Sequence, residues 1–161
     1  MPWPVIEMGT SSAELAGMLA RIEEATRKRF NPRSFDGRLR IQKAIYLLKS
    51  MGHPIARHYR YNMYLRGPYS PELTRDYYQL MEREIRPIDV EINDIMLTVV
   101  RDAVVRGDGF LEAVATVHSI YKTNAPLGDR ENIIRMARSI KPQLHHHYDD
   151  AWEFLIRTGL I

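Results

Sequence analysis

The sequence predicts a mainly α-helical, compact multi-helix domain with one small β-strand or hairpin near residues 59–66. Three observations predict it. Apolar residues recur at helical spacing through most of the chain, as at Ile41, Ala44, Ile45 and Leu48, where i, i+3, i+4 and i+7 share one helix face. Residues 59–66 instead alternate with period two, Tyr59, Tyr61, Met63 and Leu65 against Arg60, Asn62, Tyr64 and Arg66, the pattern of a half-buried strand. Finally, 161 residues at 45% hydrophobic and 27% charged suit one globular domain of roughly 100–200 residues.

Each element has its own signals. Ser11-Ser12-Ala13-Glu14 reads as a capping box, with Ser11 at N-cap and Glu14 at N3, opening a helix striped by Leu15, Met18, Leu19 and Ile22 and ending near Arg29. A second helix runs from about Phe35 to Met51, with Gly52 placed for the left-handed stop and Pro54 barring continuation. The strand of residues 59–66 follows. Gly67-Pro68-Tyr69 then reads as a turn, with Ser70 as N-cap, Pro71 at N1 and Glu72 facing the dipole of a helix that buries Leu73, Tyr77, Leu80 and Met81. Ile88, Val90 and Ile92 alternate with Asp89 and Glu91, as a short second strand pairing with the first or as the lead into the next helix.

From Asn93 onward the chain reads as helix throughout. Ile92, Ile95, Met96, Val99 and Ala103 form one stripe stopped by Gly107, and Phe110, Val114, Val117 and Tyr121 form the next after an aspartate cap at Asp108. Asp129 caps a third, with Ile133, Ala137 and Ile140. The last carries Leu144, Tyr148, Ala151, Trp152 and Leu155 before Gly159. Loops are short and no repeat is visible. The expectation is therefore one domain over residues 1–161, with a mixed front half (10–92) and an all-helical back half (93–161).

Composition narrows the function classes. The absence of cysteine excludes disulfides, thiolate chemistry and zinc ribbons. The N-terminus lacks a basic start and an apolar run, and no apolar stretch approaches the ~20 residues needed to span a bilayer. A cytoplasmic protein with no membrane partner is the expectation. Net charge is only +3, yet residues 21–66 hold twelve basic against three acidic residues, leaving eleven against seventeen elsewhere. Such asymmetry suggests either a surface for phosphates or a segment neutralised inside the protein.

Candidate chemistry is sparse. His145-His146-His147-Tyr148-Asp149-Asp150 would, on a helix, set His145 four residues from Asp149 and His146 four from Asp150, spacing at which each pair can share a metal. No known metal signature has this spacing, and the favoured reading is a solvated first turn. His118 reads as a hydrogen-bonded histidine of the core or its boundary. No phosphate-cradling loop, nucleophile elbow or zinc-protease helix is present, so no cofactor is expected. Interleaved arginines and tyrosines at Arg60, Tyr64 and Arg66, with Arg38 and Lys43, are the candidate contact surface for a protein or a nucleic acid. The competing reading gives Tyr59 and Tyr61 to the core and the arginines to edge protection.

Arg40-Ile41-Gln42-Lys43-Ala44-Ile45-Tyr46-Leu47-Leu48-Lys49, then residues 61–65, then Arg66-Gly67-Pro68-Tyr69-Ser70-Pro71-Glu72-Leu73, resembles the YwgA-type uncharacterised prokaryotic family. More loosely it resembles the Panacea-type antitoxin domain, whose helix with lysine, two apolar residues and tyrosine precedes a glycine-proline turn. Lys43, Tyr46, Gly67 and Pro68 match that pattern, within a resemblance spanning about residues 35–82. Tyr69-Ser70 stands where the antitoxins commonly have valine, and the acidic back half has no counterpart. The resemblance implies a non-enzymatic interaction module, antitoxin-like, that binds and neutralises a partner protein or delivers it to a protease. A nucleic-acid-binding regulator is the alternative, and a metal-assisted enzyme at residues 145–150 the third reading. Oligomeric state is not encoded in these patterns.

Overall fold

A central helix, flanked on every side, organises the chain. The computed structural model describes residues 5–64, 67–124 and 128–161, with side chains from residue 12 onward except that of residue 64. Among them are seven α-helices: α1 (Val5–Thr26), α2 (Phe35–Ser50), α3 (Pro71–Glu82), α4 (Asp94–Val105), α5 (Asp108–Asn124), α6 (Arg130–Ile140) and α7 (Tyr148–Thr158). Between α2 and α3 lie a 3-10 turn, Ala56–His58, and two strands, β1 (Asn62–Tyr64) and β2 (Gly67–Tyr69). A second 3-10 segment, Pro142–His147, joins α6 to α7. Helix α5 packs against α2, α4, α6, α7 and β2. Its buried residues, Phe110, Leu111, Ala113, Val114, Ala115, Thr116, Val117, His118 and Ile120, leave little of it to solvent, as expected of a helix apolar nearly all round. One continuous buried cluster runs from Leu15 on α1 to Leu155 on α7. The mainly α fold with a small hairpin is the one the sequence predicts. Among the described residues no helix is long and apolar enough to cross a membrane.

Several ends form where their caps predict. Ser70 Oγ accepts from the Leu73 amide at 3.2 Å, Asp129 accepts from Asn132, and Gly52 and Gly159 adopt left-handed φ of 84° and 75°. These features are local in sequence, so tertiary context had little to override.

Five expectations change. Helix α1 runs through Ser11 without starting there; Ser12 Oγ is buried and donates to Gln79 Oε1 at 2.6 Å, so it ties α1 to α3 where a cap was expected. Of the strand expected over residues 59–66, the described residues form Asn62–Tyr64, and its partner is Gly67–Tyr69, where the sequence suggests a turn; residues 65–66 lie outside the described residues. Residues 59 and 60 are instead held by α3: Tyr59 Oη donates to Asp76 at 2.6 Å and the Arg60 amide to Glu72 at 2.8 Å. No strand forms at residues 88–92. Val90 and Ile92 are buried as the alternation predicts, but their backbone bonds go to separate partners, the Ile88 amide to Ala13 O and the Val90 carbonyl to Arg21. Gly17 admits this crossing, because a Cβ there would collide with the Ile88 carbonyl. Ile95 is 78% exposed, while Val100 and Val104 are buried, because α4 turns toward α1, α2 and α5. Asp108 lies in the first turn of α5 and accepts from Arg40 at 2.8 and 3.1 Å, a salt bridge in place of a cap.

The cap at Ser70 is testable. Ser70→Ala removes the acceptor for the Leu73 amide, which is buried with it, and should cost about 1 kcal/mol, read as a lower urea midpoint at unchanged m. An unchanged midpoint would show that another group satisfies that amide.

Candidate functional site: a lysine cleft beside the hairpin

The three-residue strands are too short to hold together alone, since even longer isolated hairpins are marginal in water. Helix α2 anchors them. Gln42 Oε1 accepts from the Ser70 amide at 2.9 Å, and its Nε2 donates to the Ser70 carbonyl at 2.9 Å and Thr74 Oγ1 at 3.0 Å. The next residue, Lys43, donates through Nζ to the Pro68 carbonyl at 2.7 Å. Tyr61 Oη closes the far side, donating to the Gln42 carbonyl at 2.8 Å, with its ring edge-on to Tyr46 at 5.1 Å. Gly67 sits at φ 90°, and a Cβ there would fall 2.7 Å from Thr116 Oγ1 on α5, so glycine is required twice over. Lys43, Tyr46, Gly67 and Pro68 thus belong to one cluster, with Tyr46 Oη 2.7 Å from His118 Nδ1. Burial pulls His118 down to about 4, with Lys122 acting the same way, and pushes Tyr46 up to about 12, so both are neutral at pH 7. His118 is the hydrogen-bonded core histidine the sequence suggests.

Beside this cluster opens a cleft of about 510 Å³. Helix α2 supplies Phe35, Arg38, Leu39, Gln42 and Lys43, and β2 and α3 supply Tyr69, Tyr77 and Tyr78. Glu112 comes from α5 and Lys141 from the junction after α6. Lys141 is paired with Glu112, and the Lys141 carbonyl accepts from Tyr148 Oη at 2.7 Å. Lys43 and Lys141 are each only 5% exposed. Burial first, and the neighbouring Lys141 charge second, bring Lys43 down to about 7, because a low-dielectric surrounding and a like charge both disfavour the ammonium. At the mouth, Phe35 is 60% and Tyr78 45% exposed.

The structure gathers some candidate residues and separates others. Lys43, Pro68, Tyr69 and Ser70 line or support the cleft, and Arg38 stands on its wall, donating to the Pro32 and Arg33 carbonyls at 3.0 and 3.3 Å. Arg60 is exposed and lies elsewhere, its own amide held by Glu72. Glu72 lines a second cleft, of about 360 Å³, with Glu14, His58 and Asp76. Arg66 and the side chain of Tyr64 lie outside the described residues, so the expected face of Arg60, Tyr64 and Arg66 is not described as a unit. Gln42, Glu112, Lys141, Phe35, Tyr77 and Tyr78 are members the sequence reading did not single out. Gln42 had a signal, being polar in an apolar run beside Lys43. Lys141 had none, since a lysine before proline at a helix end is ordinary.

The histidine run takes a different geometry from the one its spacing suggests. His145, His146 and His147 lie in the 3-10 segment, and only from Tyr148 does α7 begin, so the four-residue pairing with Asp149 and Asp150 on one helix face is not formed. Asp149 pairs with Arg130 at 3.2 Å and Arg138 at 3.7 Å, and Asp150 with Arg106 at 3.9 Å. His145 and His146 are exposed, and His147 packs edge-on to Phe110. Among the described residues no group of three His, Asp or Glu stands close enough to hold a metal ion. The chain matches no family model, no curated protein and no solved structure.

Two measurements check the cluster. Gln42→Leu strands the buried Ser70 amide and carbonyl and should cost about 3 kcal/mol, seen as a lowered denaturant midpoint; a loss under about 1 kcal/mol would mean the clamp contributes little. For Lys43, the folded value near 7 lies below the unfolded value of 10.5. The unfolded chain therefore binds more protons between those values, and stability should rise with pH from about 7 toward 10. Lys43→Met should abolish that rise in a pH series of urea melts. An identical slope in both proteins would assign the titration to another group.

Proposed function

We propose that this protein is a non-enzymatic interaction module, antitoxin-like in its mode of action, which captures a partner protein at the cleft beside the hairpin. One observation carries the reading. Two large aromatic side chains, Phe35 and Tyr78, stand exposed at the mouth of a cleft whose wall includes the lysine of the motif. Exposed aromatics around a partly buried polar floor are the composition of binding hot spots, where aromatic and cationic residues dominate the energy. The resemblance to Panacea-type domains supports the same reading, since its matching residues, Lys43 and Pro68, are those that fix the hairpin against α2.

The nucleic-acid alternative draws less support from the basic segment. Several of its cations are directed at main-chain carbonyls of the same molecule: Arg21 at Val90, Arg33 at Met81, Arg38 at Pro32 and Lys49 at Arg57. Arg40 is occupied by Asp108. A phosphate track needs such groups turned outward in a row.

The test is reconstitution with a defined partner. The chain is co-expressed with each product of its flanking genes, and the complexes are resolved by size-exclusion chromatography. A partner should co-elute at fixed stoichiometry, and Phe35→Ala with Tyr78→Ala should weaken the complex by about a hundredfold while leaving the melting temperature unchanged. A complex indifferent to both substitutions would sink this reading. Retardation of DNA or RNA at ~50 mM salt, lost on Arg60→Ala, would install the alternative in its place.

A further inference from the structure

The link between α6 and α7 is built unlike the rest of the chain. Pro142–His147 is a 3-10 segment of six residues, longer than that geometry usually persists, and such runs mark hinges. Neither this segment nor α7 has a side-chain cap at its start. The segment ends on three consecutive imidazoles. The rings of His145 and His146 stand 5.4 Å apart, and those of His146 and His147 lie closer, at 4.0 Å. His145 and His146 are exposed, whereas His147 is half-buried. Its ring stands edge-on to Phe110 and rests on Gly109 in the first turn of α5, where a Cβ would fall 2.7 Å from Nε2. Phe110 is buried among this ring, Phe154 and the Arg106 guanidinium, which stacks 3.7 Å from its centre.

We propose that residues 145–147 form a pH-sensitive latch: at neutral pH the uncharged His147 ring closes over Phe110, and in mild acid it takes a proton, leaves its seat on Gly109 and uncovers that aromatic. This goes beyond partner capture at the cleft and does not depend on it. The surroundings of His147 disfavour a cation. His146 is stacked on it and Arg106 stands close at the end of α4, against one carboxylate, Asp150 of α7, which Arg106 itself approaches to 3.9 Å. The other acids of the adjoining elements are engaged: Asp108 and Glu112 of α5 by Arg40 and Lys141, and Asp149 of α7 by Arg130 and Arg138 of α6. The positive end of the α7 dipole begins directly after His147. Burial first and His146 second lower the His147 value from 6.5, with Asp150 opposing and Arg106 adding to the effect. A ring released to water therefore binds a proton more readily than a seated one. The seated form is favoured in full above pH 6.5 and loses that advantage as pH falls below it.

The experiment is amide hydrogen exchange on the intact chain, expressed as protection factors so that the intrinsic pH dependence of exchange cancels. The Tyr148 amide donates to the His145 carbonyl. It should lose protection between about pH 7.5 and about pH 5.5, while the amide of Val117, buried in the middle of α5, keeps its own. The ring resonances of Phe110 should shift with the same midpoint. His147→Gln should abolish both changes. Gly109→Ala places a methyl group against Nε2 without altering any charge, and alanine is otherwise favourable within a helix. That variant should show the unprotected Tyr148 amide already at neutral pH, with no further change in acid and with Val117 still protected. A Tyr148 amide equally protected at both pH values, or a loss that persists in His147→Gln, overturns the latch. Loss of protection at Tyr148 and Val117 together would be global acid unfolding and overturns it equally.

Discussion

Gln42 and Lys43 hold the β-hairpin by its main chain, and much of the front half depends on those bonds. A hairpin of two three-residue strands cannot bury enough surface to persist alone, and Ser70 at its end is also the N-cap of α3. By fixing both the amide and the carbonyl of Ser70, the Gln42 amide sets where the hairpin stops and α3 starts. Helix α3 in turn carries Asp76 and Glu72, which fix Tyr59 and the Arg60 amide, and Gln79, which meets Ser12 on α1. Side chain to main chain hydrogen bonds thus replace the longer ladder that the alternation at residues 59–66 suggests.

Anchoring the hairpin also places a charged group where one is costly. Lys43 reaches the Pro68 carbonyl only by being buried, and the same packing brings it near Lys141. The Lys141–Glu112 pair lies in the same cleft, which α2, β2, α3, α5 and the junction after α6 line together. Elsewhere the charge map is local. Acidic residues of the back half pair with that half's own arginines, Asp149 with Arg130 and Arg138 and Asp150 with Arg106, while Arg40–Asp108 crosses between the halves.

The expectations that survived and those that did not differ in the range of the interactions they rest on. Caps at Ser70 and Asp129 and left-handed stops at Gly52 and Gly159 involve residues within a turn of one another, so their chemistry is visible in sequence. The capping box at Ser11 had the same local credentials, yet α1 continues through it, and Ser12 meets a partner on α3. The alternation of Ile88, Val90 and Ile92 left a strand and a lead into the next helix both open; Val90 and Ile92 are buried, Ile88 is exposed and no strand forms there, because period two does not say whether a neighbouring backbone is present to complete a ladder.

By itself the sequence determined the helical class, most element boundaries and the absence of cysteine chemistry. Those are consequences of periodicity, capping and residue type, all readable over a few positions. Only the tertiary structure decided that Gly67–Tyr69 is a strand, that the histidine run and its aspartates part company, and that Lys141 and Glu112 meet the motif lysine in one cleft. The pairing of two lysines beside one carboxylate joins residues far apart in the chain, and no local pattern marks it. It exists because α5 and the end of α6 pack where α2 turns Gln42 and Lys43 inward, and burial there, not spacing, lowers the Lys43 value.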